Sequence, residues 1–291
     1  TNALSALLTV DAVTLNGDKY HVKFTQDAMS EQRHSKAKSN EHTGTTLTFM
    51  PDATMFGSVD WDAHTIEKRI KWIAGSLAGV TMTFVDNRAE HPEEKVFHYP
   101  NGLVDFIASE NKGKELTGID TPLSIHGRCA IDGKKATVVV DDDYQGQAIT
   151  VDVALCVGPD LAPSVVSMAN SIPTFSGGPH VNGLRSALLT AFGDFAHEHS
   201  LLPKPKGKRA TGEREQFVAS DVLSSTSAVI SVTIPNGILD YKGQTKDTLA
   251  TAAAKDAVEN VVSKELTKWL FDNEKQAKAL VEVFVDNKLS R

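Results

Sequence analysis

A polar loop in the last third of the chain carries the residues best suited to chemistry on a phosphate group. Gln244 and Lys246 follow Gly243 in the sequence YKGQTKDTL, which covers residues 241–249. A lysine is a compact cation that can neutralise a terminal phosphate, and a nearby glutamine can hydrogen-bond a phosphate oxygen or orient water. The glycine permits a tight turn, so Lys246 is predicted to project from a loop before a helix. Taken alone, the sequence favours a solvated surface lysine near the start of a helix, because most lysines are simply exposed to water.

A second motif lies upstream, where residues 170–185 have the sequence NSIPTFSGGPHVNGLR. The pair Gly177-Gly178 permits a sharp turn or the close approach of another backbone segment. Pro179 is then predicted to open a helix that carries Arg185 on its first turns. By itself this pattern indicates only a junction between a loop and a helix.

A third motif has the sequence TGTTLTFMPD over residues 43–52. Its β-rich part, Thr46–Met50, is predicted to form a strand, because Gly44 precedes it and Pro51 ends it. Thr45 is either a ligand-binding hydroxyl or an ordinary strand threonine with a satisfied hydroxyl.

Hydrophobic periodicity predicts the elements that must position these motifs. Helices are predicted over residues 62–78, 101–109 and about 184–195, followed by two C-terminal helices, or one bent helix, interrupted at Asn273. Further strands are predicted over residues 80–85, 135–141, 148–157 and 226–234. The charged stretch 89–95 is the predicted boundary between two domains. The acidic run 141–143 is either a ligand set for a hard cation or, as we favour, a solvated hairpin turn.

Composition limits the class of protein. The 291 residues are 41% hydrophobic and 23% charged, which is typical of a globular chain. The two cysteines, Cys129 and Cys156, lie in apolar runs and favour a reducing compartment, so we predict a cytoplasmic protein without a membrane span. The net charge of -7 argues against a surface that binds nucleic acid throughout. One basic cluster, which is a local DNA-binding patch or a solvated loop, comprises Lys204, Lys206, Lys208 and Arg209.

In this order and at this separation, the three motifs resemble the ATPase subunit of a type IIA DNA topoisomerase, the gyrase B and topoisomerase IV B family. The opening residues, TNALS, are also similar to a helix that follows the family's ATP lid. The resemblance covers almost the whole chain. It implies an α+β fold in which residues 1–95 are the C-terminal part of a GHKL-type ATPase domain. Residues 96–291 would be a transducer domain similar to ribosomal protein S5 domain 2, with long C-terminal helices.

The resemblance also implies roles for individual residues. Lys246 and Gln244 would contact the γ-phosphate of ATP, and Gly44 and Thr45 would lie beside the adenine pocket. Arg185 would face the cavity through which double-stranded DNA passes, and the basic cluster is a further candidate for DNA contact on its charge alone. The implied cofactors are ATP and Mg²⁺, and the implied partners are DNA, a DNA-cleaving A-type subunit and a second copy of the complete subunit. The implied activity is an ATP-hydrolysing type II DNA topoisomerase that uses ATP to drive strand passage.

Two departures from the family pattern are visible. Pro179 stands where the family has threonine, and Leu223-Ser224-Ser225 stands where it has Arg-Glu-Gly, so an acid and a base are absent. The family's magnesium-binding asparagine, its general-base glutamate, its adenine-binding aspartate and its lid glycines would all lie upstream of Thr1. We therefore expect a fragment, a processed product or a split subunit that is inactive alone, and no metal ligands within this sequence.

Two alternatives to this interpretation are open. A non-enzymatic, transducer-like module could bind DNA or a topoisomerase subunit without ever meeting ATP, although the intact Gln-Thr-Lys loop disfavours it. A mismatch-repair or Hsp90-type ATPase is disfavoured because those families lack the Gly-Gly-x-His segment.

Overall fold

The computed structural model describes residues 1–88, 92–202 and 216–291. Contacts between its residues divide the chain into two units, Thr1–Ala63 and His64–Arg291. The boundary predicted near residue 95 separates two family domains rather than two units defined by contacts. It stays a prediction.

The first unit is a four-stranded antiparallel sheet in the order β3-β2-β1-β4. Its strands are β1 Ser5–Val13, β2 Asp18–Thr25, β3 Ala28–Lys36 and β4 Gly44–Pro51. Strands β2 and β3 are joined by Gln26 and Asp27, both at positive φ, as a tight two-residue hairpin turn requires.

One face of this sheet is apolar and only partly covered. On β1, Leu8 lies opposite Phe24 and Phe49, so the pleat places all three on the same face. Leu8 is buried, whereas the β4 side chains Leu47 and Phe49 are 51% and 42% exposed. The edge strand β4 therefore presents apolar side chains that nothing in the described part of this unit covers fully.

The second unit is built on a six-stranded sheet in the order β11-β10-β12-β9-β7-β8, in which only β10 and β12 pair in parallel. The strands are β7 Leu123–Asp132, β8 Lys135–Val140, β9 Ala148–Val157, β10 Ser164–Ala169, β11 Ile172–Pro173 and β12 Thr226–Thr233. Two small hairpins accompany it, β5 Thr81–Val85 with β6 Glu94–His98, and β13 Tyr241–Lys242 with β14 Thr248–Leu249. The helices are α1 Ala63–Ser76, α2 Leu103–Glu110, α3 Pro179–Glu198, α4 Ala219–Leu223, α5 Ala253–Asp272 and α6 Glu274–Ser290.

The central strands of this sheet are covered on both faces. On β12, Ala228, Ile230 and Val232 join a core formed with α3, α5 and α6, whereas Val229 points to a second core around Phe106 of α2. Because successive strand residues face opposite sides, a strand buried on both sides is a continuous apolar run. Residues 226–234 carry apolar side chains at both alternating sets of positions, with small polar residues between them, and this pattern predicts a buried strand.

Several predicted elements are confirmed, with ends that differ by at most two residues. They include the helix predicted at 62–78, the helix at 101–109, the strands at 80–85, 148–157 and 226–234, and the break at Asn273 between α5 and α6. Among helices in the described ranges, none is long and apolar enough to cross a bilayer.

Two structural predictions were wrong. The expected N-terminal helix is a single 3-10 turn, Asn2–Leu4, after which the chain enters β1 as the central partner of β2 and β4. Residues 141–147 do not form a hairpin turn, since β8 and β9 are not neighbours and β7 lies between them. The first stretch leads into a strand that is paired on both sides, and the second crosses β7 to connect the edge strand β8 with β9.

Candidate functional site

The Gln-Thr-Lys loop is the tip of the β13–β14 hairpin. Gln244, Thr245 and Lys246 are all exposed, between the paired residues Lys242 and Thr248. Gly243 has φ +74 and Lys246 has φ +58, a left-handed conformation that is uncommon for a lysine. The loop is present as predicted, but strand β14 separates it from helix α5.

The lysine cation rests on an aromatic ring at the base of this hairpin. Its Nζ lies 5.5 Å from the ring centroid of Tyr241, whose hydroxyl donates a hydrogen bond of 2.8 Å to the carbonyl oxygen of Ala169. The Tyr241 ring is thus anchored to strand β10, and an exposed cation–π contact of this kind contributes only about 0.5–1 kcal/mol. Lys246 is therefore free to leave the ring for a stronger anionic partner.

The structure brings the first two sequence motifs together. The backbone N–H of Ser176 donates to the carbonyl oxygen of Asp247 at 2.8 Å, and that of Leu249 donates to the carbonyl oxygen of Gly177 at 3.0 Å. Gly178, with φ +148, lies so close to β14 that a Cβ there would stand 2.6 Å from the Leu249 carbonyl oxygen. The Gly-Gly segment is thus a backbone support for the loop that carries Lys246.

A buried polar chain lies behind this support. Ser167 Oγ is 2.8 Å from Thr174 Oγ1, which is 3.1 Å from His180 Nε2 at the start of α3. His180 is fully buried, and its Nδ1 has no hydrogen-bond partner among the described residues. Burial lowers the pKa of His180 from 6.5 to about 4, so the imidazole is neutral at pH 7.

We expect His180 to make the folded state acid-sensitive. In the unfolded chain it takes up a proton near pH 6.5, whereas in the folded chain it does so only near pH 4. Stability is therefore fully present above pH 6.5 and falls with decreasing pH through that window, by up to about 3 kcal/mol. Urea unfolding of the protein and of His180→Gln at several pH values measures the difference.

The other histidines are present in both proteins, so their contributions to the pH dependence of stability cancel in the comparison. His126, whose pKa is raised chiefly by its hydrogen bond to Asp152, acts in the opposite direction in both proteins. The glutamine can still bond Thr174 but does not titrate. If the two proteins lose stability in parallel between pH 6.5 and 4, His180 is not the acid-sensitive group.

Arg185 lies on the second turn of α3 and lines a cleft. The cleft has a volume of about 380 Å³ and is lined by Arg185, Asn182, Ser164 and the Gly177-Gly178 segment, among others. Arg185 is exposed, and no described carboxylate lies within ion-pair distance of it. The predicted helix and the exposure of its arginine are thus present, and contact with DNA stays a prediction.

The residues Leu223-Ser224-Ser225, which differ from the family pattern, make contacts of their own in this structure. Leu223 lines the Arg185 cleft, and Ser225 Oγ accepts a hydrogen bond of 2.9 Å from Asn287 of α6. The neighbouring buried carboxylate of Asp221 accepts the Val218 N–H at 2.9 Å. An amide on α6 therefore ties down the end of α4, close to the cleft.

Gly44 and Thr45 lie in the first unit, at the start of edge strand β4. Thr45 is exposed and pairs with Ala12, on the same face as the partly covered apolar side chains Leu47 and Phe49. A threonine beside an open apolar surface suits one edge of a pocket for a flat aromatic ring, but it does not form a pocket alone.

Two further predictions concern the basic cluster and metal binding. Lys204, Lys206, Lys208 and Arg209 lie outside the described residues. Over the described ranges, no group of three or more His, Cys, Asp and Glu side chains is arranged to hold a metal ion. Within the acidic run, the Asp142 carboxylate faces His126 at 3.4 Å, and the Asp142 carbonyl oxygen accepts a bond from Arg128. The side chains within residues 1–88, 92–202 and 216–291 therefore do not fit a Mg²⁺ site.

Comparison with known proteins places this geometry in context. The model of the family described as DNA gyrase B matches residues 102–291. The B-type subunit of DNA topoisomerase 4 from Streptococcus pneumoniae is 32% identical over 282 residues, which are 96% of this chain and 39% of that protein. The corresponding protein from Bacillus subtilis is 31% identical over 97% of this chain and 38% of its own length. The chain thus spans about two fifths of these curated relatives.

Solved structures show the same architecture. The 43K ATPase domain of Thermus thermophilus gyrase B, solved in complex with an aminocoumarin, matches with a TM-score of 0.70 and 26% identity. That match covers 98% of this chain and 69% of the solved one. The topoisomerase IV ATP-binding domain of Francisella tularensis matches with a TM-score of 0.67 and 22% identity, over 100% of this chain and 71% of the other.

Proposed function

Because the chain belongs to the DNA gyrase B family, we propose that it is part of the ATPase subunit of a type II DNA topoisomerase, in which Lys246 and Gln244 sense the γ-phosphate of ATP. Family membership confirms the resemblance drawn from the motifs. The likeness to solved gyrase B ATPase domains likewise confirms the α+β fold class. The activity of the whole subunit, its substrates and its partners belong to the proposal.

The observation that carries the proposal is an exposed cation on a backbone-supported loop. Lys246 and Gln244 project from a hairpin tip whose neighbours, Asp247 and Leu249, are hydrogen-bonded to Ser176 and Gly177. A positioned cation stabilises charge that develops on a phosphoryl group better than a freely moving one, because it reorganises less during the reaction. A merely solvating lysine has no need of such support.

The loop would act by distinguishing two nucleotide states. When ATP is bound, its terminal phosphate supplies the anion that draws Lys246 from the Tyr241 ring, and Gln244 donates to a phosphate oxygen. After hydrolysis these contacts are lost. The free energy for a conformational change is then the difference in contact with ATP and ADP, as any ligand-driven shift requires. The hydrogen bonds to Gly177 and Ser176 would transmit the loop position to α3.

The adenine side of the site would be completed by a further polypeptide segment. Thr45 lies on the half-covered apolar face of β4, and the exposure of Leu47 and Phe49 leaves room for another layer to pack there. The magnesium ligands would also come from that segment, since the described residues do not fit a metal. We therefore expect this chain alone not to hydrolyse ATP.

The remaining proposals concern partners. Arg185 at its cleft, and the basic cluster of residues 204–209, would contact the phosphates of double-stranded DNA, because arginine and lysine supply the sequence-independent part of DNA affinity. The complete subunit would act as a homodimer with a DNA-cleaving A-type subunit, in the cytoplasm.

Hydrogen exchange in the complete subunit tests the sensing role. With a non-hydrolysable ATP analogue, backbone amides 244–246 should exchange about tenfold more slowly than with ADP, because only the γ-phosphate would add contacts to the exposed tip of the loop. The β7–β8 turn at Gly133 serves as an internal control and should be unchanged. Equal protection of the loop by the analogue and by ADP would remove the basis for the proposal.

A further inference from the structure

Helix α1 contacts the segment that supports the Lys246 loop. The guanidinium carbon of Arg69 lies 5.0 Å from the ring centroid of Phe175, and the Trp72 ring, one helical turn away, is also 5.0 Å from Phe175 at 32°. Arg69 and Trp72 are three residues apart, so they share one face of the helix. This face of α1 therefore packs against Phe175, which immediately precedes Ser176.

The same arginine also reaches the loop itself. Arg69 Nη2 lies 4.0 Å from Oδ1 of Asp247, the residue directly after Lys246. Asp247 accepts, through its carbonyl oxygen, the hydrogen bond from Ser176. Arg69 thus meets the supporting segment through Phe175 and the phosphate loop through Asp247, and it joins three chain segments that are far apart in sequence.

We propose that Arg69 is a positioning residue that links α1 to the phosphate loop and sets the position of Lys246. The inference rests on the proposed sensing function of that loop. The contact with Asp247 is at the limit of ion-pair distance and both side chains are partly exposed, so a small movement of the loop makes or breaks it. Such a weak contact suits a linkage that must change with the nucleotide state, whereas the backbone bonds at Ser176 and Leu249 hold the loop in both states.

Charge reversal and charge exchange in the complete subunit test this role. Arg69→Glu should lower the kcat of ATP hydrolysis roughly fivefold with less than about a twofold change in KM, because exposed ion pairs and cation–π contacts are individually weak. Asp247→Arg should have a similar effect. The double variant with both changes should recover to within about twofold of the parent, since the pair is restored in the opposite sense.

Lys68→Glu is the matched control. Lys68 is the neighbour of Arg69 on α1, undergoes the same change of charge, and contacts Trp72 at 5.3 Å rather than the loop. It should leave kcat within about twofold of the parent. Amides 244–247 should exchange faster in Arg69→Glu than in Lys68→Glu, with or without nucleotide.

The outcomes separate this inference from the proposed function. If Arg69→Glu behaves like Lys68→Glu while Lys246→Ala abolishes turnover, the positioning role is wrong and the sensing role stands. If the single variants are impaired and the exchanged pair gives no recovery, Arg69 is only structural and the inference is also overturned. If Lys246→Ala itself hydrolyses ATP at the rate of the parent, the proposed sensing function is wrong.

Discussion

Lys246→Ala in the complete subunit is expected to lower ATP turnover by about 100-fold or more, because it removes a positioned cation from the charge that develops on the transferred phosphoryl group. DNA binding should change little, since Lys246 is not among the residues that line the cleft of Arg185. Steady-state ATPase assays and salt-dependent DNA binding measure the two effects separately.

Lys242→Ala is the matched control for this variant. Lys242 is also exposed, lies on the same hairpin four residues earlier, and belongs to strand β13 rather than to the loop tip. Its loss removes the same charge and should change turnover less than about twofold, as expected for a solvated lysine. Equal activity of Lys246→Ala and the parent would refute the role of the loop lysine.

Gly178→Ala should be the most damaging small substitution in the support of the loop. Its φ of +148 and ψ of -166 fall in a region that is accessible essentially only to glycine. A methyl group there would also stand 2.6 Å from the Leu249 carbonyl oxygen and 2.9 Å from the Leu249 Cβ. We expect a loss of about 3 kcal/mol in the free energy of unfolding from strain and overpacking together, measured by urea denaturation.

Gly177→Ala provides the control at the adjacent position. Gly177 has φ +70, and a Cβ there would meet only Val181, with Cγ2 nearest at 3.4 Å, an ordinary contact. This variant should lose about 1 kcal/mol, which is the cost of the left-handed conformation alone. In the complete subunit Gly178→Ala should also reduce turnover, because β14 must move away from the Gly-Gly segment. Equal stability of the two variants would show that the close approach to Leu249 does not matter.

Elements with strong local patterns could be predicted from sequence. Helix α1 has apolar residues at helical spacing, and strand β12 has apolar and β-branched residues facing both sides. Strands β2 and β3 were not predicted, because many of their residues are polar or charged and their apolar face is sparse. A strand of this type is stabilised by pairing with its neighbours rather than by its own pattern.

At the candidate site, the sequence by itself determined which chemical groups are present and whether each lies on a turn, a loop or a helix. A glycine, a glutamine and a lysine in a polar stretch predict an exposed turn with a cation, and Gly-Gly-Pro before an apolar periodic segment predicts a loop that opens a helix. These features depend on backbone geometry over a few residues, which neighbouring residue types control.

Only the tertiary structure decided which segments meet. Backbone hydrogen bonds from Ser176 and Leu249 join two motifs about seventy residues apart, and Arg69 reaches Asp247 from a helix far earlier in the chain. Backbone N–H and C=O groups are the same at almost every position, so residue types do not specify which distant carbonyl a given amide will reach. That choice follows from the packing of α3 and the strands around it, which involves the whole second unit.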